Sequence, residues 1–467
     1  MTNTPGGSDV ELLSALRADV NGAVIGPDHA DYDDVRVPWN LTLVHQQPAA
    51  VVLADSAEDV AAAVRVAAKR GLGVAVQATG HGAVHPCDGA VLVSTARLRT
   101  VHIDPDRRLA TVAAGARWQD VLAAAAPHGL APLAGTSPHV GVLGFTLGGG
   151  YSWLSRRYGL AAESLVAATL VTADGQLRTV DERTDPELLW ALRGAGGNFG
   201  VVTSGQLRLF PVRELYAGAL AFPIERAPEV LDAYRQWTGS VPDEVSSVLA
   251  LIRLPEMLSS LAPLDGRLVQ VMICDLEPAE VAEQRLAPFR ALGPAIDTVR
   301  TITTEQLGEI ANDSVGPMPL NEHGHLVADL SPGLIDVLLA ANGPDAPEGL
   351  PLLAVRHLGG QLATAQASSC HGGRQAGFLI NATGADLGPE LAAVVDAHQE
   401  TLSVSLKPYT VGGAGLNFIG KARGGRVGDA ARTRAAFEPS DYRRLVALKK
   451  AHDPENMFRF NHNIAPL

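Results

Sequence analysis

Cysteine is scarce. Cys87, Cys274 and Cys370 are the only three in 467 residues, far apart and in no metal-like spacing. An odd, scattered set gives neither a disulfide framework nor a zinc site, and it fits a reducing compartment. Charge is also thin, at 19 % of residues, with an interspersed acidic excess of −13. That balance argues against nucleic acid and anionic membrane surfaces as partners. No apolar run approaches membrane-spanning length, and Met1–Ser8 has neither a basic nor an apolar targeting segment, so the expected location is the cytoplasm. There is no low-complexity tract and no internal repeat. With 46 % hydrophobic residues, a chain this long is expected to form two lobes sharing a cleft.

Glycine is what the chain has in quantity, and it comes in runs. After the apolar stretch Gly73–Val76, Gln77-Ala78-Thr79-Gly80-His81-Gly82 sets one imidazole in a loop with little side-chain bulk. Backbone can approach a ligand there while a nucleophilic ring points into the same space. A second run extends from Gly135 through Thr136, Ser137, Val140, Gly141, Gly144 and Leu147 to Gly148-Gly149-Gly150, and opens the stretch Tyr151–Leu160. A third follows at Gly194-Ala195-Gly196-Gly197-Asn198-Phe199-Gly200-Val201-Val202. Exposed backbone N–H groups in such loops form concave anion sites suited to a pyrophosphate or a carbonyl edge.

The third run is not a nicotinamide fingerprint, because Glu187–Leu192 before it reads as helix where a strand is required. His81, His85 and Cys87 are not a metal cluster either, since glycine and proline break any helix that would align the imidazoles. No metal site is expected.

Strand patterns at Ala49–Ala54, Ala90–Ser94, Leu109–Val112 and Ala167–Thr172 alternate with helices capped by Ser56 and Asp185, without a long βα series. Beyond Phe210-Pro211-Val212 the loops lose glycine. Alternating segments at Leu220–Phe222, Val248–Leu254 and Leu268–Cys274 read as an antiparallel sheet with helices near Pro228–Trp237 and Pro278–Ala291. The fold class is α+β, divided as 1–213, 214–420 and a returning segment 421–467.

In order and spacing the three glycine runs resemble the FAD domain of the vanillyl-alcohol-oxidase superfamily (the PCMH type). The berberine-bridge-enzyme-like branch of bacterial natural-product pathways is the most similar. Tyr442–Ile464, with Asp453-Pro454-Glu455-Asn456-Met457-Phe458-Arg459-Phe460-Asn461, is similar to that family's C-terminal signature. The resemblance implies a PCMH-type FAD lobe, a substrate lobe, and FAD joined to His81 through an 8α bond. It implies flavin contacts from Gln77, Ala78, Thr79, Gly80, Gly82, Gly135, Thr136, Ser137, Val140, Gly141, Gly144, Leu147, Gly148, Gly149, Gly200, Val201, Val202, Asn417 and Asn461.

Ser137 stands where relatives carry a second attaching cysteine. Without a thiolate it makes no thioether, so one covalent bond is expected. Val140 borders the family's oxygen pocket, where valine accompanies oxidase behaviour. The family's Tyr-x-Asn-Tyr appears as Gly415-Leu416-Asn417-Phe418, lacking both hydroxyls, and no carboxylate follows Leu358-Gly359-Gly360. His357 or His371 is therefore the expected base, with His323, His325 and Tyr409 behind them. Each reads equally well as a structural residue. The implied activity is oxidation of a small secondary metabolite with O2 and release of H2O2. The alternative is a net non-redox cyclisation, rearrangement or elimination on the same scaffold.

Overall fold

The computed structural model describes residues 7–256, 262–364, 368–420 and 430–467. The expected start of the returning segment, 421, lies outside them.

Ser56 caps the helix Ala57–Lys69 by accepting from the Asp59 amide, and this helix links parallel strands. Val74–Gln77 lies beside Val91–Ser94, which lies beside Ala50–Leu53, with Ala23–Ile25 antiparallel at the edge. Val74–Gln77 thus delivers the chain directly into the His81 loop. A second, five-stranded antiparallel sheet is ordered Val101–Asp104, Leu109–Ala113, Val201–Arg208, Leu165–Val171, Leu177–Asp181. It carries the other two glycine runs. The helix Pro186–Leu192, capped by Asp185, stands where the sequence places it.

Between Pro211 and Glu214 the chain enters an eight-stranded antiparallel sheet. Its centre runs Glu214–Pro223, Arg267–Asp275, Val245–Arg253, Leu352–His357, Phe378–Ala385, Leu320–Val327. Alternation along these strands separates two faces. Leu249, Leu251, Leu353, Val355 and Ile380 pack with helices such as Ala227–Thr238 and Pro332–Asn342 in one core. Ala217, Ala219, Val248, Ala250 and Met272 face the other way and join the core of the first lobe.

The tail returns through the helix Pro439–His452. Met457 accepts from the Val74 amide, and the Ile464 amide donates to Asn198. All three cysteines are buried and free. No helix among the described residues is long and apolar enough to cross a membrane. The architecture is α+β with antiparallel sheets, as expected.

Candidate functional site

His81 is gripped on two sides. Its ring stacks on Trp39 at 4.0 Å, and Nδ1 lies 2.9 Å from the Thr79 hydroxyl. Trp39 is held there because its amide donates to the Thr79 carbonyl, and the Asn40 amide donates to that of Gly80. Gly80 is obligatory: φ is +80°, and a Cβ would meet Pro38 at 2.5 Å. Burial, with Arg117 and His139 adding, lowers the imidazole to about 4. The ring is neutral at pH 7, and with Nδ1–H donated to Thr79 the buried, unpartnered Nε2 keeps a lone pair. Nothing in the sequence pointed to Trp39, which lies some forty residues away in a different segment.

The second glycine run comes up against the first: a Cβ on Gly141 would lie 3.6 Å from both Ala78 and Thr79. Gln77 donates to the Val37 carbonyl at 3.3 Å. Gly135 packs on the Phe145 ring, and Gly144 lies in the helix Val142–Leu147 with open space around its Cα. Leu147 accepts from the Gly196 amide, tying the second run to the third. Asn417 fastens the turn, accepting from the Gly150 amide at 3.1 Å and donating to the Phe145 carbonyl at 3.2 Å. Asn461 donates to the carbonyls of Gly197 and Phe458. Gly200 passes close to the Val171 carbonyl, and Val201 and Val202 are buried in strand. Thr136 and Val140 are half-buried at the loop surface.

Buried polar atoms without partners collect on these segments: Nε2 of His81 and His85, Oγ of Ser137, and Oδ1 of Asn461 and Asn463. Orphaned groups of this kind carry a desolvation cost unless a ligand satisfies them. Donors and acceptors from separate segments, beside glycines that leave the backbone bare, fit a large polar cofactor such as FAD.

On the substrate side the structure brings His371, but not His357, to the glycine turn. The His371 ring fills the space beside Gly149 and Gly415, where a Cβ on Gly149 would lie 2.7 Å from Nδ1. Its Nε2 pairs with the Tyr151 hydroxyl at 3.1 Å. Burial, with Arg374 adding, takes it down to about 3, and burial lifts Tyr151 to about 12. His357 lies further along the sheet, where Nε2 accepts from Arg156 at 3.0 Å; burial and then Arg156 lower it to about 3. Both imidazoles are neutral at pH 7 and weakly basic. His325 pairs with Ser403 behind the sheet, His323 is buried on the same side, and Tyr409 packs against the helix core.

A carboxylate in this cleft was not legible from the sequence. Glu322, on Leu320–Val327, stands opposite Thr383 on the sheet face turned to the first lobe. Its Oε1 accepts from Asn381 at 3.1 Å and from Thr383 at 3.5 Å, while Oε2 has no partner among the described residues. Burial raises its pKa, with the Asn381 hydrogen bond opposing. The same strand end is tied to the His81 brace, since Asn40 donates to the Leu320 carbonyl at 2.9 Å and Trp39 donates to the Val315 carbonyl.

Fold and site together define a two-lobed flavoprotein in which glycine loops of one lobe face a polar-lined sheet of the other. Residues 48–181 match the FAD binding domain family, and residues 414–465 match the berberine and berberine-like family. The (R)-6-hydroxynicotine oxidase of Paenarthrobacter nicotinovorans is 29 % identical, over 96 % of this chain and 97 % of its own. The xylooligosaccharide oxidase of Thermothelomyces thermophilus is 33 % identical over 45 % of this chain and 44 % of its own. The solved 6-hydroxy-D-nicotine oxidase of Arthrobacter nicotinovorans superposes with a TM-score of 0.80 at 26 % identity, covering 96 % of this chain and 98 % of that one. A berberine-bridge-enzyme-like protein of Physcomitrella patens shares the fold, with a TM-score of 0.83 at 19 % identity over 98 % of this chain and 99 % of that one. With an FAD binding domain and a berberine-like C-terminal domain, the chain is similar throughout to FAD-linked oxidoreductases and is an enzyme that uses FAD.

Proposed function

We propose that this protein is an oxidase that carries FAD on His81 through a single covalent bond and dehydrogenates a small, mostly apolar secondary metabolite in the cytoplasm. The observation that carries the proposal is the buried, neutral, unpartnered Nε2 of His81, on the loop whose Ala78 and Thr79 lie against Gly141, together with a serine at position 137. The relatives named for oxidation of hydroxynicotine and xylooligosaccharides support an O2-linked outcome. FAD, when bound, supplies a two-electron acceptor that dioxygen regenerates with release of H2O2.

The chain's own residues position and deprotonate. Glu322, with Oε1 held by Asn381 and Thr383, offers Oε2 to a substrate O–H or N–H. A raised carboxyl pKa suits proton transfer near neutral pH. His371 contributes by orienting the Tyr151 hydroxyl, and His357 by holding Arg156.

Oxygen uptake and H2O2 release by the purified holoenzyme, against 6-hydroxynicotine, xylooligosaccharides and a panel of aromatic alcohols and amines, test the reading. Equimolar O2 loss and H2O2 gain are expected with at least one of them. Conversion of a panel member to an isomer without oxygen uptake would replace it with the non-redox reading, for which the lost tyrosines at Gly415 and Phe418 speak.

A further inference from the structure

Two guanidiniums line a small cavity beside Tyr151, together with Ser155, Ser246 and His357. Arg156 is spent. Its Nε donates to the Val245 carbonyl at 2.7 Å, its other nitrogens reach His357 and the carbonyls of Leu358 and Pro242, and Asp243 lies 3.7 Å away. Arg356 is the opposite case. Among the described residues it makes no hydrogen bond and no ion pair, and its guanidinium lies over the Trp153 ring at 5.7 Å, a cation–π contact. It lines the same small cavity as Tyr151 and Ser246.

The register fixes where this cation points. Arg356 stands opposite Val248 on one side and Leu379 on the other, both on the face turned to the flavin lobe. Asn381 and Glu322 lie further along the same face. Two carboxylates act on Arg356 from a distance, Asp313 and Glu322, and neither closes an ion pair. Burial raises the Glu322 pKa, which weakens it as a counter-charge.

A cation drawn out of water without a counter-ion costs several kcal/mol, which a ring contact offsets only in part. Desolvation is the largest influence on Arg356 and disfavours its charge, so the local structure leaves the cation under-compensated. A planar fork of donors in a cavity of hydroxyls matches a carboxylate, which takes two parallel N–H bonds in one plane.

We propose that Arg356 is the anchor for a carboxylate on the substrate, with the Tyr151 and Ser246 hydroxyls beside it, so that the metabolite is an acid whose oxidised carbon is presented to the flavin loops. This names the substrate class for the oxidase reading and rests on it. It requires only bound FAD for its test, not turnover or covalent attachment.

The holoenzyme is titrated with benzoate, and with benzamide as the neutral isostere, while the flavin absorbance difference spectrum is recorded. Benzoate is expected to saturate with a defined perturbation and benzamide to bind at least about 10-fold more weakly. R356M should weaken benzoate by about 10–100-fold and leave benzamide unchanged, as loss of a charge-assisted pair demands. R356K should restore part of the affinity, keeping charge without the fork. A wild-type visible flavin spectrum in R356M establishes that the variant is folded. The proposal is overturned if wild type gives no benzoate signal, if benzoate and benzamide bind alike, or if R356M binds benzoate as wild type does. A benzoate response without oxygen uptake on any panel compound would count against the oxidase reading alone.

Discussion

At the scale of single residues, His81 carries the first test. If Nε2 bonds the flavin, acid-precipitated protein stays yellow and a flavin-bearing peptide contains His81. H81A should then release its FAD into the supernatant. Colourless wild-type precipitate would end the covalent reading. Val140 carries the second: V140L narrows the space that this loop residue leaves, and should slow reoxidation of reduced enzyme by O2 while sparing reduction by substrate. Stopped-flow reoxidation of photoreduced enzyme reads this directly, and identical rates would remove Val140 from the argument. Glu322 carries the third. E322Q keeps the bonds to Asn381 and Thr383 within reach but offers no base, so the reductive step should fall by about 10²–10⁴-fold with flavin content unchanged. H371A should cost less, because that ring acts through Tyr151. A larger loss in H371A than in E322Q would return the base to the histidine.

At the scale of elements, the C-terminal helix Pro439–His452 is what locks the tail to the flavin loops. Lys449 is fully buried, and its Nζ donates to Asp453 at 2.6 Å and to the carbonyls of Asn198 and Phe458 at 2.8 and 3.1 Å. Asp453 in turn accepts from the Met457 and Phe458 amides. One ion pair therefore welds the helix end, the third glycine run and the returning tail. Removing one partner strands a buried charge, so K449M should cost about 3–5 kcal/mol in denaturant unfolding. The double variant K449M/D453N should recover part of that loss. The sequence marked this stretch only as a signature; that Lys449 and Asp453, four residues apart, share a dry pocket depended on the loop at Asn198 closing over them.

At the scale of the whole molecule, five histidines are held neutral by burial: His81 and His325 at about 4, and His357, His371 and His462 at about 3. Their folded pKa values lie below the unfolded value, so the unfolded chain takes up protons first as the pH falls. The stability they protect is complete above about pH 6.5 and drains away between there and their folded values, at up to about 1.4 kcal/mol per pH unit for each. Glu322 and Asp441 have the opposite sign, with carboxyls raised by burial that gain relative stability in acid, while His85 is lowered by burial and adds to the five rings. The urea midpoint should therefore fall steadily from pH 7 to pH 5. A flat profile over that range would mean that the five rings are not buried as neutral groups.

The strands, the capped helices, the three glycine loops and the flavin lobe were legible because they rest on local signals. Period-two alternation, the caps at Ser56 and Asp185, and loops too bare for anything but close backbone approach all lie within a few residues of one another. The proposed base and the proposed anchor were not. Glu322 sits in Leu-Asn-Glu-His-Gly-His-Leu-Val, which carries no catalytic pattern, and it becomes notable only because pairing with Phe378–Ala385 sets Asn381 and Thr383 against one of its oxygens. Trp39 reaches His81, and Arg356 faces a cavity without a counter-ion, for the same reason. Which face a strand residue joins, and which partners that face already has, follow from sheet register and lobe packing, and those are set by contacts between residues hundreds of positions apart.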